Sequence, residues 1–200
     1  MLSGTYQLEW EESGTSGKRK IRIVGIVASG KTTLARQLSA HTGIDWHELD
    51  EIVHARIADG SRKRTAEEQM DAIRVIDHTG AWIFEGTDRD SHADLYEMAD
   101  LIIFLDPPLW QRRIRIVKRW IRQNTGREPA PYKPDFAMLQ AMFRWTNEFE
   151  RGRPAFEAKL TRYGKKVLRI TNDTGLKRLL EDRDFVLEKE VNKLRDIWGE

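Results

Sequence analysis

Ile21-Arg22-Ile23-Val24-Gly25-Ile26-Val27-Ala28-Ser29-Gly30-Lys31-Thr32-Thr33 is the stretch whose reading decides the fold. Ile21 to Gly25 is mostly apolar and β-branched, the composition of a strand, and Thr32 to Ala40 has the spacing of a helix that Gly43 ends. Between them, Gly25 to Thr32 matches G-x-x-x-x-G-K-[ST] in full, in the strand, loop, helix context that the motif requires. The glycines permit a tight turn in which successive N–H groups point inward at an anion, and the following helix adds its positive N-terminal end. Four specified positions are matched by accident in a chain of this size at a rate on the order of one in a hundred, and the flanking strand and helix lower that further.

Outward from this stretch, short apolar runs recur at Ile44 to Leu49, Ala81 to Phe84, Leu101 to Leu105 and Lys166 to Ile170, separated by segments of helical length. Leu101-Ile102-Ile103-Phe104-Leu105 lacks polar alternation, as a strand buried on both faces does. The expected fold is α/β: a P-loop domain with a five-stranded parallel sheet flanked by helices and a helical lid. Its divisions are an N-terminal extension over 1–20, a core over 21–182 and a C-terminal helix over 183–200. Within the core, an acceptor region spans about 50–80 and a lid about 112–154. In the extension, Tyr6, Leu8 and Trp10 alternate like an edge strand. In the tail, Leu187, Val191, Leu194 and Trp198 share one helical stripe.

Composition narrows the function classes. The 200 residues carry 34 Lys and Arg against 32 Asp and Glu, a net charge of only +2, which argues against a dedicated nucleic-acid binder. With no cysteine there is no disulfide, thiol nucleophile or thiolate metal site. The acidic run Leu8 to Glu12 is no secretory signal, and no apolar run approaches the ~20 residues of a membrane span, so a cytoplasmic protein without membrane contact is expected. The five histidines show no metal spacing. A monomer or homodimer is expected.

The loop points to a nucleoside triphosphate, with ATP and Mg2+ as the expected cofactors. Gly25, Ala28, Ser29, Gly30 and Thr33 would contribute backbone and first-turn groups, Lys31 would reach the terminal phosphates, and the Thr32 hydroxyl would ligate the metal. Three strands end in acids, Asp50, Glu85 and Asp106, at the carboxyl edge that faces the ligand crevice in open α/β sheets. Glu85 and Asp106 are candidate metal ligands with Thr32, and Asp50 is the candidate that positions or activates a phosphoryl acceptor.

A helix expected over Leu109 to Gln123 has two stripes. Trp110, Ile114, Val117 and Ile121 form an apolar seam, and Arg112, Arg115, Arg119 and Arg122 lie nearly opposite. No acid occurs between Pro107 and Arg127, so the basic side calls for an anion nearby. Gly- and Pro-rich sequence follows, then a helical pattern through Phe136, Leu139 and Phe143 leading toward Arg151-Gly152-Arg153-Pro154. A hinged lid would thus bring Arg115, Arg119, Arg151 and Arg153 to ATP, with Arg119 and Arg153 stabilising the transferred group.

These residues resemble adenylate-kinase-like P-loop kinases, and within them the DNA topology modulation (FlaR-like) proteins. The likeness runs from about Ile21 to Glu181, through the phosphate loop, Leu49-Asp50, Trp82-Ile83-Phe84-Glu85-Gly86, Ala99 to Pro107, Arg115 to Arg119 and Arg153-Pro154. It implies a core that binds Mg-ATP, a mobile lid whose arginines grip the phosphates, and an acceptor region between the second and third strands. Glu85-Gly86 stands where these kinases usually have Asp-Gly. Glu51 to Arg56 replaces the aromatic stretch that follows Leu-Asp in the family. Asp50, His54, Glu85, Gly86 and Arg89 become the acceptor-binding candidates, and the acceptor is a small molecule such as a nucleoside or nucleotide. Two other readings stand beside it: a kinase of a hydroxy metabolite, and a nucleotide-dependent regulatory or nucleic-acid-associated ATPase without a small acceptor.

Overall fold

Strand β1 (Lys20–Val24) is buried from Ile21 onward and lies at the centre of a five-stranded sheet. The computed structural model describes residues 19–57, 60–130 and 133–181. The alternation at Tyr6, Leu8 and Trp10 and the stripe from Leu187 to Trp198 lie outside these residues.

Four more strands complete the sheet: β2 (Trp46–Glu48), β5 (Trp82–Gly86), β6 (Leu101–Leu105) and β7 (Val167–Ile170). All pair in parallel, in the order β2-β5-β1-β6-β7. The expected five-stranded parallel sheet is therefore present. β6 is wholly buried, as its unbroken apolar run implied. One face carries Ile21, Ile23, Ile83 and Ile103 against α1 (Lys31–Thr42) and α7 (Asp173–Glu181). The other carries Trp82, Phe84, Ile102 and Phe104. It packs against α2 (Leu49–Val53), α3 (Ala66–Asp77), α4 (Asp94–Met98) and the C-terminal half of α6 (Phe136–Thr161).

Three local differences from the expectation bear on the site. β5 continues two residues beyond Phe84, which puts Glu85 on the strand itself, buried and in register with Ile23 of β1 and Glu48 of β2. β2 stops at Glu48, and Asp50 falls in the first turn of the short α2. The stretch after α2 contains an antiparallel hairpin, β3 (His54–Ile57) with β4 (Gly60–Lys63), before the Thr65 capping box opens α3.

Helix α5 (Leu109–Asn124) forms where its pattern placed it, with its basic side turned toward the body and its apolar seam outward. Trp110, Ile114, Val117 and Ile121, the apolar seam, are exposed by 61%, 45%, 38% and 48%. The turned-in side chains are Arg112, Ile116 and Gln123. Arg112 is only 1% exposed; its Nε donates to the Pro107 carbonyl at 3.0 Å and its Nη2 pairs with Glu150 of α6. Charge-assisted hydrogen bonds to those fixed acceptors outweigh the contact the apolar stripe could have made, because Arg112 buried without them would carry a large desolvation cost.

Arg22 is a second buried arginine among the described residues, at 0% exposure in the central strand. Its guanidinium donates to the carbonyls of Ile23 at 2.9 Å and Thr87 at 3.0 Å, with longer contacts at 3.4 Å to Phe84 and Gly86. It thereby ties the end of β5 and the loop beyond it to β1.

Candidate nucleotide and acceptor site

The loop from Gly25 to Gly30 leaves the centre of the sheet and turns into α1 by backbone conformations that its residues specify. A Cβ at Gly25 would come within 2.7 Å of the Leu105 carbonyl, so only glycine fits between β1 and β6. Gly30, at φ 103°, and Ala28, at φ 59°, both lie in the left-handed region. For Ala28 that conformation costs on the order of 1 kcal/mol, strain of the kind that collects at ligand clamps. The Ser29 hydroxyl is buried without a hydrogen-bond partner.

Lys31 opens α1, and its ammonium donates to the Ile26 carbonyl at 3.1 Å. Burial pushes its pKa below the usual lysine range, against the pull of Glu85 and Asp50. The same ammonium feels Arg22 and Arg119, so two carboxylates and two guanidiniums surround it. An anion seated in the loop would offset the burial that now disfavours the charge.

Beside Lys31, the Thr32 hydroxyl lies 2.5 Å from Glu85 Oε1. Glu48, at the end of β2, joins this acidic group: burial and then Glu85 and Glu51 hold its carboxyl above the usual range. Glu48 was not singled out from the sequence. The available signal was its position in the short run that ends at Leu49, at the carboxyl edge of the sheet. Among the described residues, no three His, Asp or Glu side chains gather as a ready-made metal cage. Mg2+ is commonly held by one or two protein oxygens together with phosphate oxygens and water, and Thr32 with Glu85 would supply such a pair.

Asp106 does not join them. Its Oδ2 accepts from Arg153 Nη1 at 2.8 Å and Arg169 Nε at 3.0 Å, so two guanidiniums already occupy the proposed metal ligand. Arg153 also binds Glu150 and Glu157, and its hydrogen bonds to Glu150 first and then Asp106 hold its pKa above the usual arginine range. Arg151 is exposed and lines a shallow surface along α6 with Gln140, Phe143 and Asn147, none of which belongs to the phosphate loop.

Arg115 and Arg119 do face the loop. Arg115 Nη1 donates to the Ser29 carbonyl at 3.2 Å, and Arg119 acts on Lys31 while pairing with Glu128 at 3.4 Å. Arg115 also closes a cavity of about 260 Å³ with Ser29, Gly30, Thr33, Ile170 and Leu176, adjoining the loop on its β6–β7 side.

On the opposite side, Arg89 Nη2 donates to Asp50 Oδ1 at 2.7 Å, both side chains remaining accessible. Gly86 lies against Leu49, whose Cβ would stand 2.9 Å from a Cβ added there, so this glycine lets the Asp50 turn approach β5. His54 is exposed at the start of the β3–β4 hairpin, opposite Lys63. Beneath Arg89, His92 is fully buried with its Nε2 3.0 Å from Gln69 Oε1. Burial and the charges of Arg22 and Arg89 lower its pKa to about 4.

Fold and loop together define a domain of the P-loop fold. No protein-family model matches the chain, and no curated protein sequence does. Among solved structures, shikimate kinase from Acinetobacter baumannii in complex with shikimate aligns at TM-score 0.46 and 14% identity, over 92% of this chain and 94% of that one. An unliganded sugar kinase from Janibacter sp. gives 0.47 and 16%, over 88% and 98%. An uncharacterized protein from Eubacterium ventriosum gives 0.47 and 14%, over 82% and 97%. At these scores and identities the likeness transfers no residue, substrate or activity.

Proposed function

We propose that the chain is a Mg-ATP-dependent phosphotransferase for a small acceptor that carries a hydroxyl and an anionic group. The observation that carries this reading is the placement of Lys31, partly buried, bonded to one backbone carbonyl and flanked by the Thr32–Glu85 pair and Arg119. When bound, Mg-ATP supplies the γ-phosphoryl group and the metal's neutralising charge. The amides of Gly25 to Lys31 hold the phosphates, and Thr32 with Glu85 holds the metal. Arg115 and Arg119 cover the phosphates from the lid. The cavity beside Arg115 and Leu176 takes the base.

Asp50 accepts the proton of the acceptor hydroxyl as its oxygen bonds to the γ-phosphorus and the bond from that phosphorus to ADP breaks. Arg89, released from Asp50, pairs with the acceptor's anionic group. A nucleotide and a hydroxy acid both meet this description. The test is ADP release from Mg-ATP across a panel of nucleosides, nucleotides and hydroxy acids. Acceptor-dependent release supports the kinase; turnover indifferent to every acceptor and stimulated by DNA supports the nucleic-acid-associated ATPase and sinks this reading.

A further inference from the structure

Arg89 lies on the loop that leaves β5, yet the backbone that carries it is held on both sides. Ahead of it, Arg22 of β1 donates to the Thr87 carbonyl at 3.0 Å, and Asp88 Oδ1 accepts from the Tyr96 hydroxyl at 2.8 Å and from Lys159 Nζ at 2.7 Å. Behind it, Gln69 Oε1 of α3 accepts from the Ser91 hydroxyl at 3.1 Å and lies 3.0 Å from His92 Nε2. The His92 amide in turn donates to the Arg89 carbonyl at 3.0 Å. The Arg89 guanidinium itself stays accessible, on Asp50.

Lys159 reaches this loop from the C-terminal half of α6, 71 residues from Asp88 in the chain. Its ammonium also lies 4.4 Å from the centre of the Tyr96 ring, and Tyr96 is fully buried and stacked on Tyr163 at 5.4 Å. The charge of Lys159 is thus bonded to the residue next to Arg89 against an aromatic backing. A partly exposed ion pair contributes little to stability, whereas a fixed backbone beneath a long side chain lowers the ordering cost of an anion contact. We propose that Lys159, through Asp88, is a positioning residue for the acceptor: resting on the phosphotransferase reading, it holds the Arg89 loop so that the guanidinium meets the acceptor's anionic group.

Lys159→Met keeps an unbranched side chain against the Tyr96 ring and removes the ammonium. With the member of the acceptor panel that gives the fastest ADP release, this variant should raise the acceptor KM about tenfold, with kcat and the KM for ATP within about twofold of native. Lys159→Arg should bring most of the native KM back, since a guanidinium also donates to Asp88. In a double-variant cycle, Lys159→Met added to Arg89→Ala should raise the KM no further, because the two act through one contact. Lys166→Met, which removes a lysine bonded to the Glu97 carbonyl at 3.1 Å, is the control expected to change nothing. An unchanged acceptor KM in Lys159→Met, or a rise that adds in full to that of Arg89→Ala, overturns the proposal.

A second measurement needs no acceptor. Hydrogen exchange of the amides at 87–90 in the full-length protein should quicken about tenfold in Lys159→Met, with the amides of β5 unchanged. Equal exchange overturns the proposal by itself. Native protein that releases no ADP with any acceptor overturns the phosphotransferase reading, and this proposal with it.

Discussion

The Thr32 hydroxyl and the Glu85 carboxylate, 53 residues apart in the chain, meet at 2.5 Å where the phosphate loop becomes α1. The first turn of α1 and the end of β5 can make this contact because β1 and β5 pair in parallel and in register, Ile23 beside Glu85. Glu85→Gln keeps the size of the side chain and removes its charge. We expect Mg2+-dependent tightening of ADP binding to weaken by about 10- to 100-fold, with Mg2+-free ADP binding unchanged. Titration calorimetry with and without Mg2+ reads this, and an undiminished magnesium effect removes Glu85 from the metal site.

Lys31→Ala should lower turnover by roughly 10²- to 10³-fold, the scale of one electrostatic group aimed at developing charge. Stability should hardly change, because Lys31 makes one protein hydrogen bond, to Ile26, and its burial disfavours the charged form. Single-turnover kinetics and urea unfolding of the same preparation separate the two effects. Normal turnover, or a large loss of stability, contradicts the assignment.

Asp50 and Arg89 are paired across the acceptor side and should separate by kinetic parameter. Asp50→Asn should reduce kcat by about 10²- to 10⁴-fold, the usual range for a general base. Arg89→Ala should raise the acceptor KM while leaving the KM for ATP unchanged. If both substitutions raise only the KM for ATP, these residues belong to the nucleotide side.

The His92 pKa of about 4 makes a prediction about pH. An unfolded histidine titrates near ~6.5, so between about pH 6.5 and 4 the unfolded chain binds a proton that the folded chain excludes. This group therefore withdraws stability as pH falls through that window, up to about 3 kcal/mol at the acid end, and leaves stability unaffected above it. The charges acting on it are Arg22, Arg89, Asp50 and Asp88. Carboxylates lowered by partners, such as Glu68 at about 2, add their loss only below about pH 4.5. Urea midpoints measured from pH 7 to 4.5 should fall in the native protein and fall less steeply in His92→Gln, where His47, its pKa lowered by burial, leaves a residual slope. Parallel slopes would assign the effect elsewhere.

Where sequence reading succeeded, the determinants are local. The phosphate loop was legible because Gly25 and Gly30 answer steric demands within a few residues, and β6 because an unbroken apolar run suits a doubly covered strand. Strand ends sharing one edge put Glu85 and Asp106 in one candidate set with Thr32, of which the structure brings only Thr32 and Glu85 together. Glu48 was passed over because an acid beside a turn has the same local appearance whether it faces solvent or another carboxylate.

Sequence by itself determined the parallel sheet, the loop and the helix that follows it, since those rest on periodicity, backbone freedom and short-range contacts. Only tertiary structure decided which face of α5 turns inward. An amphipathic pattern defines two opposite stripes, and the choice between them fell to Glu150 and the Pro107 carbonyl, which capture Arg112. The same holds for Asp106, claimed by Arg153 and Arg169, and for Arg22, whose burial in the central strand depends on carbonyls beyond β5. Charges inside a protein go where distant partners can satisfy them, and a linear pattern does not name those partners.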